Sequence, residues 1–415
     1  MDVGEHFFRH ESGRLVAALT RLFGVHNLAL AEDMTQHAFC RALEVWKVRG
    51  IPENPSAWLL ATAKHRAFDL LRKERTARSF APELSRLLDS EGELADAVDA
   101  AFLPGSIRDE QLRMMFSCCH PSLAAEAQIA LILNILCGFG AVEIASALLS
   151  GRAAIEKRIA RGKQVLAGKK TLFDLAAAQF EARLKTVCKA LYLLFNEGYH
   201  GASQTGAVRP ELCDEALRLI ALLRDYSRAA TATTQALAAL MCLNAARLPA
   251  RLDAAGDLLS AADQDRSRWD ARLVAEGLAL FEASARGDVL SAFHVEAAIA
   301  VTHASASSFA ATDWDAIVTL YDRLMSVAPS PVVALSRAIA VGERDGAARG
   351  LAELLQIEDV ERLRAYPFFP AALGQFQLRL GRHATAREHF SKALSLARND
   401  AERRFLERRV AAATH

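Results

Sequence analysis

The residues that invite a chemical reading are mostly charges, not nucleophiles. In residues 141–166, AVEIASALLSGRAAIEKRIARGKQVL, the side chains Arg152, Glu156, Lys157, Arg161 and Lys163 lie opposite Ile155 and Ile159 on one helix. Cations on the outer face of a short helix can meet phosphates and guanine edges in a DNA major groove. The plainer alternative is an ordinary helical hairpin with a solvated face. Adjacent Cys118, Cys119 and His120 suggest a metal or redox site, but no second ligand pair follows at a suitable spacing. Glu197 and His200 resemble an acid–base pair, yet no nucleophile or metal set accompanies them, so no enzyme is expected.

The elements that position these charges follow from periodicity. Ile144, Ala145 and Leu148 form one apolar face, and Ile155, Ile159 and Leu166 form another. Leu149-Ser150-Gly151 reads as the turn between two short helices, with Ser150 as N-cap. Nearer the N-terminus, Phe7, Phe8, Leu15, Ala18, Leu19 and Leu22 recur at helical spacing, and Gly24 is a stop signal. A second helix over 28–47 has Leu30, Met34, Ala38, Leu43 and Trp46 inward and Glu32, Asp33, Gln36 and Arg41 outward. Residues 48–53 form a loop. Asn54 and Pro55 then open a third helix as N-cap and first helical residue. That helix carries Lys64, His65, Arg72, Lys73 and Arg75 toward its C-terminal half.

Composition bounds the answer. The chain has 415 residues, 52% of them hydrophobic, and a formal net charge of +1. It can bury real cores, and any nucleic-acid surface must be local. Seven cysteines without a CxxC pair indicate reduced thiols and a cytoplasmic setting. The first ten residues lack the basic and apolar regions of a signal peptide. The longest apolar run, residues 129–142, is interrupted by Asn134 and suits a buried helix better than a bilayer. No cofactor, metal or membrane is expected.

AEDMTQHAFCRALEVW, a loop, then NPSAWLLATAKHRAFDLLRKER together resemble region two of bacterial RNA polymerase sigma factors, in particular the extracytoplasmic-function (ECF) group. Residues 141–166, after a helical 124–137, resemble region four of the same family. RDEQLRMMFSCCHPSLAAEAQIALILN resembles the ECF subgroup with a long C-terminal extension, and there Cys118, Cys119 and His120 belong to a packing pattern. The resemblance implies that Glu32, Asp33 and Gln36 dock on core RNA polymerase. It implies that Arg49, Ile51 and Glu53 lie in the loop that captures a flipped base of promoter DNA, with Lys64, His65 and Arg72 facing the strand. Trp58 reads as core by helical phase. Arg152, Lys157, Arg158 and Arg161 are the expected −35 contacts, Arg158 as a phosphate clamp. Gly151-Arg152 stands where the subgroup usually has Pro-Glu, and Ala154 replaces a common Thr.

The expected fold is all-α: region two over 1–76, an acidic linker over 77–110, region four over 111–170, and a large helical domain over 171–415. The last includes ALGQFQLRLGRHATAREHFSKALSLA, which resembles a tetratricopeptide repeat with its turn at Gly381. VVALSRAIAVGERDGAARGLAELL resembles a degenerate copy about 35 residues earlier. Within this domain Asn196, Glu197, Tyr199, Asp263, Asp265, Arg266, Trp269 and Asp270 are candidates for a groove that binds a small-molecule or protein signal. Helix caps and ion pairs are the structural alternative, since Asp265 and Asp313 sit near helix starts. The extension reads as a fused regulator or as a support needed for stability. A helix-turn-helix repressor or scaffold that does not join polymerase is the reading from another class.

Overall fold

The computed structural model describes residues 5–73, 91–148, 150–169, 172–175, 178–200, 208–287 and 289–414. Among them there is no β-strand, only an isolated antiparallel bridge between Leu252 and Leu258. The architecture is all-α, as the periodicity predicts. Two compact units divide the chain, Met1–Leu194 and Phe195–His415.

The first unit contains α1 (Glu5–Phe23), α2 (Leu28–Arg49), α3 (Pro55–Lys73), α4 (Glu91–Ala101), α5 (Pro104–Cys118), α6 (Ala125–Ile135), α7 (Ala141–Ala147), α8 (Arg152–Ala167) and the first part of α9 (Phe180–His200). Helix α1 is its axis. Five consecutive residues, Leu15 to Leu19, are each at most 2% exposed, so this stretch is covered on all sides. Leu15 packs with Ala38, Ala42, Trp46 and Leu59 of α2 and α3. Leu19, Leu22 and Phe23 pack with Met34, Ala67, Leu71 and Val98. Helices α5 and α6 also pack on α1. The approach to the end of α6 is close enough that a Cβ on Gly13 would lie 2.3 Å from the Leu136 carbonyl oxygen, so only glycine fits there. Each fully buried Leu or Phe contributes about 1.5–3 kcal/mol.

Local signals in the sequence are realised where they act on the backbone. Gly24 and Gly50 adopt φ of 82° and 80° at the ends of α1 and α2. The Asn54 side chain accepts from the Ala57 N–H at 3.0 Å, with Pro55 opening α3. Trp58 meets Trp46 edge-on at 5.4 Å within the core. Asn134, the polar break in the apolar run, donates to the Phe139 carbonyl and closes the turn after α6.

Four expectations are corrected. Leu43 is 60% exposed, and the small Ala42 is buried instead, which lets α2 approach Leu15 closely. Gly151 holds the N-cap position of α8, while Ser150 Oγ accepts from Arg158. The acidic linker is expected to hold one amphipathic helix on Leu84, Leu87, Leu88 and Leu94; residues 91–101 and 104–110 are helical, two helices rather than one, because Val98, Ala101 and Ile107 supply a buried stripe, and Leu84, Leu87 and Leu88 lie outside the described residues. The apolar pattern predicts a helix over 172–197, but α9 starts only at Phe180, since the Phe173 N–H bonds Ser117 Oγ and its ring stacks on Phe116.

The second unit contains the end of α9, then α10 (Pro210–Arg224), α11 (Ala232–Ala245), α12 (Ala271–Ser284), α13 (Ala292–Ser305), α14 (Trp314–Val327), α15 (Pro331–Arg344), α16 (Ala347–Leu355), α17 (Phe368–Arg379), α18 (His383–Ser395) and α19 (Asp400–Ala412). Helix α11 is buried along its whole middle, Ala236 to Leu243, between α10, α12 and α13. The C-terminal helices pair with their sequence neighbours. Gly381, at φ 71°, makes the turn between α17 and α18. The Phe376 ring sits in a notch formed by Gly342 and Gly350; a Cβ on Gly342 would lie 2.2 Å from it. No described helix is long and apolar enough to cross a membrane.

A buried carboxylate ties α1 to the start of α3. Glu11 is fully buried and accepts from Arg14 at 2.8 Å and Ser56 at 3.0 Å, with His10 Nδ1 at 3.0 Å. Burial alone raises its pKa, but the His10 hydrogen bond and the Arg14 charge outweigh it and hold it below the ordinary 4.5. A depressed carboxylate stabilises the fold above its unfolded pKa, and that contribution is lost as pH falls through the folded value. Glu11→Gln is therefore expected to destabilise the first unit by about 1–3 kcal/mol at neutral pH. Native-state hydrogen exchange of α1 amides reads this, and the gap from the parent protein should shrink below the ordinary carboxyl range.

Candidate nucleic-acid interface

Helix α2 presents a polar face away from α1. Asp33 and Gln36 are exposed on it, and Glu32 is half-buried. Helix α8 approaches this face because Gly162 has no side chain; a Cβ there would lie 2.6 Å from Leu131 of α6. The close packing carries Lys163 to α2, where its Nζ donates to both Glu32 oxygens at 2.7 and 2.9 Å. Both side chains are about a third exposed, so the pair contributes at most about 1 kcal/mol. A second bridge runs alongside it: Arg9 of α1 meets Glu143 of α7 at 3.0 Å and lies over the Phe139 ring. Between the two bridges is a cleft of about 640 Å³ lined by Arg9, Glu32, Gln36, Asn134, Glu143 and Lys163.

The basic residues divide by partner. Lys157 and Arg161 are exposed on α8. Arg152 is exposed but paired with Glu156 at 2.7 Å, and Arg158 donates to Ser150 at 3.1 Å. Ile155, Ile159 and Leu166 are buried beneath them, as the periodicity requires. Arg49, Ile51 and Glu53 are exposed at the loop after α2. His65 is exposed on α3, whereas Lys64 is held by Asp99 of α4 at 2.5 Å. Arg72 belongs to the last turn of α3, and its side chain lies outside the described residues. Cys118 and Cys119 are buried; burial keeps both thiols protonated and pushes Cys119 up to about 12.

In the second unit the acidic candidates have structural work. Asp265 accepts from the Ser267 N–H, Asp270 caps α12 through Leu273, and Asp263 accepts from Ser260. Asp313 caps α14. Asn196 is half-buried and Glu197 buried on α9. Tyr199 and Trp269 are different, because each lies under an arginine that the motifs did not single out. Arg251 is 4.1 Å from the Tyr199 centroid, and Arg247 is 5.3 Å from that of Trp269. The sequence signal for them is the Arg247–Arg251 spacing of four just after a buried helix.

Residues 7–77 match the family described as Sigma-70 region 2, which covers α1 to α3. Residues 183–285 match a family of unknown function, DUF6596, which runs from α9 past the end of α12. An uncharacterized protein of Rhizobium meliloti is 38% identical over 394 residues, covering 94% of this chain and 91% of the relative.

The contact between α2 and α8 has a direct chemical readout. A carbodiimide that joins touching amines and carboxylates without a spacer should link Lys163 to Glu32 within one molecule. Peptide mass spectrometry of the monomer should find that link. It should vanish in Glu32→Gln while other lysine–carboxylate links persist.

Proposed function

The chain belongs to the family of the Rhizobium meliloti protein and carries a sigma-70 region 2 domain, and from this premise we propose that it binds core RNA polymerase and directs promoter-specific initiation of transcription, in the manner of an ECF sigma factor. The match over α1–α3 is the observation that carries the reading. In it, Glu32, Asp33 and Gln36 dock on polymerase. Arg49, Ile51 and Glu53 form the exposed loop that receives a flipped base, with Lys64, His65 and Arg72 toward the strand. Extruding a base costs a few kcal/mol, which an exposed loop beside cations can offset. Lys157 and Arg161 read the −35 element from the outer face of α8, with Arg152 and Arg158 at its N-terminal end. The chemistry of RNA synthesis then belongs to polymerase, and this chain works by binding alone.

The Glu32–Lys163 pair gives this reading a resting state. While the pair is closed, one docking carboxylate is occupied by a cation of the −35 helix. Polymerase must displace Lys163 to engage Glu32, and displacement also frees α8 to move toward its DNA element. A pair of this exposure sets a modest threshold, on the order of 1 kcal/mol or less. The second unit, with its helical hairpins resembling tetratricopeptide repeats, is assigned a regulatory part acting on this opening.

The test uses the full chain with purified core polymerase. Asp33→Ala and Gln36→Ala should each weaken polymerase binding by about tenfold or more and remove run-off transcription, while duplex DNA binding through α8 persists. A DNA-binding protein that never joins polymerase would show no change in either substitution. Lys163→Ala should raise polymerase affinity by roughly two- to fivefold, matching the loss of a partly exposed ion pair.

A further inference from the structure

Three arginines of the second unit gather around two aromatic rings with no carboxylate to meet them. Arg266 lies 4.9 Å and Arg247 5.3 Å from the Trp269 ring centroid, and Arg251 lies 4.1 Å from that of Tyr199. Arg266 is locked in place by neutral acceptors: its guanidinium donates to the carbonyls of His303 and Ala306 at 2.5 and 2.6 Å and to Thr312 at 3.3 Å. Among the described residues Arg247 donates only to the Gln264 side chain, at 3.2 and 3.3 Å. Among the described residues no carboxylate comes within ion-pair distance of these three arginines. Elsewhere in the unit arginines are routinely paired, as Arg337 is with Asp322 and Glu353 and Arg398 is with Glu402. The nearby acidic side chains Asp265 and Asp270 are turned to helix and turn caps.

The same place holds buried donors without an acceptor among the described residues: the Tyr199 hydroxyl, the Arg251 Nε–H and the Trp269 indole N–H. Tyr199 is 4% exposed. An unmet buried donor costs about 1–3 kcal/mol, and clustered uncompensated cations add to that cost. Burial, then the charges of Arg247 and Arg266, push His303 down to about 4, so this imidazole adds no charge to the cluster.

We propose that Arg247, Arg251 and Arg266, with the Tyr199 hydroxyl and the Trp269 indole, form a binding site for a small multivalent oxyanion, a phosphorylated or polycarboxylate metabolite. Guanidinium forks recognise such groups bidentately, and stacking on an aromatic face holds the fork flat without using its N–H donors. The donors sit at half-buried or buried positions, which suits a small group better than the broad surface of an acidic protein. The ligand supplies the acceptors and the negative charge that the protein itself withholds. It bridges the turn after α11, which carries Arg247 and Arg251, to the segment before α12, which carries Arg266 and Trp269.

This inference goes beyond the reading of the chain as an initiation factor, and its measurement involves neither polymerase nor DNA. Either can fail without the other. Isothermal titration of the full chain with inorganic pyrophosphate and, separately, with citrate distinguishes the two ligand sources at low ionic strength. One site per chain with a dissociation constant below about 1 mM is expected for at least one probe. Arg251→Ala and Arg247→Ala should each weaken it about tenfold or more, and Arg251→Lys less. Tyr199→Phe removes only the hydroxyl and keeps the ring under Arg251. It should weaken binding severalfold, and it carries the test if the arginine variants lose their helical circular dichroism. No saturable binding of either probe overturns the proposal. So does binding that survives these substitutions and is lost instead in Lys157→Ala or Arg161→Ala, because the anion would then sit on α8.

Discussion

The burial of the Leu15–Leu19 stretch of α1 on every side is the constraint from which the first unit follows. A helix with an apolar stripe needs one partner surface; a stretch whose five consecutive residues are all covered needs several. Leu15, Leu19 and Phe23 fix α2, α3 and α4, while Gly13 admits the end of α6 at backbone distance. The sigma-70 region 2 helices and the helices of 111–167 therefore share one core element. Glu11 adds a polar tie to that element, fixing the start of α3 beside the loop that carries Ile51 and Glu53.

The contact between α2 and α8 follows from that shared core. Once α6 is held on α1, α8 is set by its packing on α6 at Gly162, and Lys163, one residue on, is delivered to Glu32. The apolar packing supplies most of the energy, and the ion pair supplies little. This division matters for function. In the reading proposed above, strong polar coupling between the two faces would oppose their separation on polymerase, whereas a partly exposed pair lets partner contacts win. The neighbouring Arg9–Glu143 bridge is less exposed and lies on Phe139, so it resists opening more than the Lys163 pair does.

What could be read in the sequence was whatever is encoded locally. Asn54 and Asp313 cap the helices that they precede, Gly381 turns α17 into α18, and Ile155 and Ile159 lie under the basic face of α8. Periodicity, which weights size over fit, places Leu43 inward, but the neighbouring Ala42, not a larger residue, completes the stripe of α2. In the acidic stretch the leucines Leu84, Leu87, Leu88 and Leu94 suggest one helix, whereas the smaller stripe of Val98, Ala101 and Ile107 is what the helices over 91–101 and 104–110 bury. The pairs Glu32–Lys163 and Lys64–Asp99 join distant segments by geometry alone, and no spacing rule encodes them.

The second unit shows the same limit in a form that bears on ligand recognition. Acidic residues, an arginine and aromatics around Trp269 read as a ligand groove or as helix caps; a carboxylate just before a helix is more useful as a cap, and Asp265 and Asp270 are used that way. Satisfying the helix ends turns the carboxylates next in sequence to Arg266 and Trp269 toward backbone N–H groups rather than toward the arginines. Arg266 is then fixed by carbonyl oxygens, which orient a guanidinium but leave its charge in place. Arg251 is held instead by stacking on Tyr199, which likewise supplies no counter-charge. Local capping and global neutralisation are thus in conflict at this point of the fold. The chain resolves the first within itself, and the positive charge that remains is directed at whatever anion enters.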